Sequence, residues 1–149
     1  MTTSSSPTAS ALGAQLEQFF ADAGGRVAAR TRARYERVHA RLLRFLEEVD
    51  VTDLLGSEPQ AVLAMERQFG RTGAFQRLHD PEEFVCCLPV FLSPDWLLPD
   101  PADARSQVVL TERLTRQIYS IYRYRLRTCS CTFNNVYTAA TTARRRFGP

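Results

Sequence analysis

The chain has 149 residues, 44% of them hydrophobic and 23% charged, with a formal net charge of +3. That balance fits a folded domain with a sizeable core and excludes a disordered chain. No run of about 18 apolar residues is present, so no membrane-spanning helix is expected. Met1–Ser10 is Ser/Thr-rich and lacks the basic-then-apolar order of a secretory signal, so it reads as a flexible leader and the expected location is cytoplasmic or nuclear.

The first helix is expected after Ser10, a capping residue. Leu12, Leu16, Phe19 and Phe20 form its apolar stripe, and Gly24-Gly25 ends it. A central helix follows over about 27–49. Read in sevens, Ala28, Thr31, Tyr35, Val38, Leu42, Phe45 and Val49 alternate at spacings of three and four, the seam of a half-buried helix. Arg30, Arg34, Arg37, Arg41 and Arg44 lie off that seam and are expected to face water. The short hinge makes the first two helices an antiparallel hairpin.

Asp50–Gly56 reads as a break with Leu54 and Leu55 tucked inward. Ser57-Glu58-Pro59-Gln60 reads as a helix start, with Ser57 capping and Gln60 reaching back. Val62, Met65 and Phe69 are its expected buried face, and Gly70 its stop. A weak helix or loop follows around Phe75 and Leu78. Asp80-Pro81-Glu82-Glu83 is a strong start signal: a capping aspartate, proline in the first turn, and two acids at the positive end of the helix dipole. Phe84–Leu88 is apolar all round, as in a buried helix, and Pro89 is expected to end it. Ser93–Trp96 reads as one helical turn, with Trp96, Phe91, Leu97 and Leu98 forming a hydrophobic plug.

A second long amphipathic helix is expected over about 101–127, its core stripe being Leu110, Leu114, Ile118, Ile121 and Tyr122. A break over Thr128–Thr132 and a last helix through Phe133, Val136, Tyr137 and Ala140 complete the chain. Strand signals are confined to Val108–Leu110 and Thr132–Thr138. The expected architecture is therefore all-α: one bundle of five to seven helices over 11–146, with a leader over 1–10 and a tail over 147–149.

Charge is strongly segregated. Residues 49–104 hold three arginines against ten acids, net −7, and residues 105–149 hold nine arginines against Glu112, net +8. Opposite charges on the two stretches can pair within one molecule or between copies. All 19 cationic side chains are arginine. Their spread through the chain favours a GC-rich coding sequence, such as that of a large DNA virus or an actinobacterium. Selection for bidentate phosphate or carboxylate contacts is the second explanation.

The chemistry-bearing residues do not assemble into an enzyme motif. Cys86, Cys129, Cys131 and His79 supply the donor types of a zinc site. However, the pairs Cys86-Cys87 and Cys129-x-Cys131 lack the usual two-residue gap, so free thiols and no cofactor are expected. His39 sits one residue past the central seam. Asp80, beside His79, is better used as a helix cap than as the orienting partner of a base, and no Gly-x-Ser-x-Gly or phosphate-binding loop is present. Arginine and tyrosine interleave in Tyr119, Arg123, Tyr124, Arg125 and Arg127, and Arg144, Arg145 and Arg146 close the chain. That combination suits base stacking and phosphate contact. The expectation is a non-enzymatic helical protein. It would act by protein–protein contacts, in a virion, nucleoid or transcription complex, or as a homo-oligomer. Direct DNA or RNA binding through the Arg/Tyr face and basic tail is the alternative.

Overall fold

The computed structural model describes residues 11–70, 72–122 and 131–147. It is all-α and compact, with eight α-helices and no strand among the described residues. These are α1 (Ala11–Gly24), α2 (Ala29–Glu48), α3 (Thr52–Leu55), α4 (Ser57–Phe69), α5 (Ala74–Leu78), α6 (Pro81–Phe91), α7 (Pro101–Tyr122) and α8 (Cys131–Arg144). A 3-10 turn, Arg145–Phe147, follows. Six of the helices have more than ten residues; α3 and α5 are single turns.

The two long helices, α2 and α7, pack against each other. Val38, Leu42, Phe45 and Val49 of the expected seam are buried, joined by Leu46, while Tyr35 is partly buried and Ala28 is exposed. On α7 the core face carries Leu110, Leu114 and Ile118, but Ile121 is 54% exposed. The α7 core face turns instead through Ala104, Gln107, Val108, Thr111 and Thr115, all buried. The two threonine hydroxyls donate to the carbonyls of Gln107 and Thr111, each at 2.7 Å, which removes the cost of burying them. Gln107 is wholly buried and sews the 91–98 segment together. Its Nε2 donates to the carbonyls of Phe91 and Trp96, and its Oε1 accepts from Leu98 N–H.

The plug is present. Trp96 lies edge-on to Phe45 at 5.0 Å, with the Arg41 guanidinium over its ring at 4.9 Å. The starts of α6 and α7 follow their local chemistry. Asp80 and Glu83 form a reciprocal capping box, and Asp100 accepts from the N–H groups of Ala102 and Asp103. Pro89 does not end α6, which runs on to Phe91. Phe91 and Leu92 are buried, and the continued turn is what seats them in the core.

Ser57 does not cap α4. The preceding residue is Gly56, at φ +111°, a value that glycine reaches without strain. Gln60 accepts from Val51 N–H at 2.8 Å rather than reaching back to its own helix start. The face expected to be buried on α4 is the outer one. Val62, Met65 and Phe69 are 49%, 63% and 79% exposed, and Leu63 is the buried apolar residue. α2 explains the reversal. Its last carbonyls, Leu46 and Val49, lack partners within the helix and need donors. Arg67 supplies them, its two terminal nitrogens donating to Val49 and Leu46 at 2.9 and 2.8 Å. Gln60, Leu63 and Arg67 share one helix face, so seating that arginine turns Val62, Met65 and Phe69 outward.

The cap at Ser10, the expected leader, the end of α7 near Arg127 and residues 128–130 of the expected break lie outside the described residues, while Cys131 and Thr132 already belong to α8. No helix among the described residues is long and apolar enough to cross a membrane.

Candidate functional site

Three places combine exposure or a cavity with usable chemistry. The first is the outer face of α4. Glu58, Val62 and Glu66 follow one another at four-residue steps, with Met65 and Phe69 beside them. An exposed row of three large apolar side chains on one helix is the kind of surface that marks contact with another macromolecule. Glu66 accepts from Arg77 at 3.1 Å.

The second is the cationic surface, which is smaller than the sequence suggests. Many of the arginines are internal struts. Arg32 donates to the carbonyls of Gly24 and Val27 at the end of α1. Arg37 makes a two-pronged pair with Asp103, at 2.9 and 2.8 Å. Asp103 is buried, and this hydrogen bond holds the Arg37 pKa above its ordinary value. Arg41 donates to the carbonyls of Trp96 and Asp95. The expected water-facing row of α2 is thus corrected at Arg41, which is half-buried and binds the plug, whereas Arg37 stays exposed while also pairing with α7. The physical reason is that a planar guanidinium can bridge two acceptors of a neighbouring segment at once. Among the described residues, no hydrogen bond or ion pair joins Arg26, Arg30, Arg34, Arg105, Arg113, Arg145 or Arg146 to a partner.

Of the Arg/Tyr face, Tyr119 is 45% exposed and edge-on to Phe133 at 5.0 Å. Arg144 is paired with the buried Glu112 across α7 and α8. Arg145 and Arg146 are exposed. Arg123, Tyr124, Arg125 and Arg127 lie outside the described residues, as does Cys129.

The third place is a cleft of about 360 Å³ between the end of α1 and α2, lined in part by Glu17, Phe20, Tyr35, Glu36 and His39. His39 stacks flat on Phe20, centroids 4.2 Å apart and planes 4° from parallel. Its Nε2 is buried without a hydrogen-bond partner, 3.7 Å from a Glu17 oxygen. Burial pushes the imidazole pKa below 6.5, outweighing the upward pull of Glu17. The ring is therefore neutral at neutral pH and acts chiefly as an aromatic packing surface.

His79 is turned toward Glu83, Nδ1 to Oε2 at 3.1 Å, and packs on Phe75. Glu83 also accepts from Asp80 N–H, so it serves the α6 start. Cys86 is half-buried; burial raises its pKa, against a lowering hydrogen bond with Thr132. Cys87 is buried, and its pKa is pushed up to about 12 by desolvation, with Cys86 and Glu83 adding to it. Such thiols are protonated and behave as small apolar side chains. No group of three or more His, Cys, Asp or Glu among the described residues is arranged to hold a metal ion. No family model, curated protein or solved structure matches the chain.

Proposed function

We propose that this is a non-enzymatic helical protein that works by contact with other proteins in a nucleic-acid-associated assembly. The observation that supports this reading is the outer face of α4. Val62, Met65 and Phe69 are exposed although the same helix had an arginine and a glutamine to offer water instead. The arrangement spends polar side chains on internal caps and leaves an apolar row outside. Burying that row against a partner would be favourable at roughly 25 cal/mol per Å² of apolar surface.

The nucleic-acid association is supported by the arginines without partners, which suit phosphate. Direct DNA or RNA binding is the second reading, carried by the exposed Arg145 and Arg146. Affinity purification from the native source, with and without nuclease, separates the two. Wild type is compared with Met65→Glu/Phe69→Glu, whose changed side chains are exposed and whose fold is checked by circular dichroism. The proposal expects proteins that stay bound after nuclease and are lost from the double variant. An identical set on both forms contradicts it, and a set released by nuclease alone selects the second reading.

A further inference from the structure

We infer that the α4 face is occupied by the outer face of α7 from a second copy of this chain, in a head-to-tail contact. This rests on the proposed contact role of α4 and names its partner. The argument is one of matching rows. On α4, Glu58, Val62 and Glu66 step by four residues, acid–apolar–acid. On α7, Arg105, Val109 and Arg113 step by four residues, base–apolar–base. All three members of the α7 row are exposed, Val109 by 42%. Four residues of α-helix advance about 6 Å, so each row spans about 12 Å and the two fall into register. Val62 then meets Val109, Glu58 meets one arginine, Glu66 shares its carboxylate between the other arginine and its own Arg77, and Met65 and Phe69 cover the edge of the contact.

The same rows exclude the symmetric alternatives. Two α4 faces brought together in either direction set Glu58 and Glu66 against glutamates of the other copy, a repulsion that Arg77 beside Glu66 offsets only in part. Two α7 faces set arginine against arginine. Like charges held opposite one another disfavour such pairings. Attraction arises only when α4 of one copy meets α7 of the next. Those helices are not main packing partners within one chain: α4 packs chiefly on α3 and α5, and α7 on α2, α6 and α8. A single contact between two different surfaces leaves one of each unused, so it either propagates into a ring or filament or closes about a two-fold axis that forms both α4–α7 contacts in one dimer.

Sedimentation velocity tests this with three proteins: wild type, Met65→Glu/Phe69→Glu, and Arg105→Glu/Arg113→Glu. Equal thermal unfolding of the three establishes that each is folded; should the arginine reversal fail that check, Arg105→Ala/Arg113→Ala replaces it. Wild type is expected to form a dimer or larger species as concentration rises. Each variant alone is expected to weaken association by at least about tenfold. An equimolar mixture of the two variants keeps one good α4 face and one good α7 face, so it is expected to stop at a heterodimer. A wild type that stays monomeric overturns the inference. So does an arginine variant that associates as well as wild type. A monomeric wild type whose α4 variant still loses its co-purifying proteins rejects the second copy and leaves the α4 contact role standing. If neither measurement responds to the α4 change, the contact role falls as well.

Discussion

His39 is the residue whose chemistry and position are most tightly coupled. Burial against Phe20 holds its pKa below the 6.5 of a solvated histidine. The folded state therefore resists a proton that the unfolded chain accepts. As pH falls through about 6.5, the unfolded chain binds more protons than the folded one, and stability must fall with it. The loss stops once the folded imidazole also protonates. His39→Gln is expected to lower stability at pH 7.5 through loss of the aromatic stack, but to flatten this acid-side decline. Thermal melts of both proteins between pH 7.5 and 5 check it. The gap between them should narrow toward pH 5; a gap that holds constant or widens contradicts the burial argument.

At the scale of elements, Arg67 decides which way α4 faces. It joins the end of α2 to α4 through two carbonyls, 18 and 21 residues away in sequence. Arg67→Ala leaves both acceptors without that donor and is expected to cost about 2 kcal/mol in denaturant unfolding, in line with hydrogen bonds to charged groups. Arg67→Lys is expected to recover less than half, since an ammonium lacks the planar fork. Full recovery by lysine would mean that charge, not bidentate geometry, holds the junction.

Some helix starts and stops were legible from local signals, although Ser57 and Pro89 are local signals that the fold overrides. Asp80 and Gly70 act within a turn of themselves, and the α2 seam shows through its period. The orientation of α4 was not legible, because periodicity reveals an apolar stripe without revealing what covers it. Ile121 fails for the same reason: it continues a pattern that the core abandons for Thr111 and Thr115. The arginine struts also escaped sequence reading. Arg37 reaches Asp103 across 66 residues and Arg41 reaches Trp96 across 55, separations at which no local pattern pairs one charge with another. The candidate surface was accordingly half visible. The residues of α4 and the opposed charges of the two stretches could be read, but not that Val62, Met65 and Phe69 stand outside.

Among the described residues, the molecule separates its arginines into those that hold helices together and those that bind no other part of the chain, and it places its exposed apolar row on the acid-edged α4. Whether that row is a contact surface can be read from Met65, whose thioether is oxidised by peroxide when solvent reaches it and is shielded when covered. The direct measurement is the rate of Met65 sulfoxide formation, followed by peptide mass spectrometry. It compares dilute isolated protein with the protein in nuclease-treated extract of its native source. Oxidation is expected to be fast in the dilute chain, where Met65 is 63% exposed, and at least about threefold slower in the extract. Equal rates in the two would leave the α4 face uncovered in its working state and contradict the account.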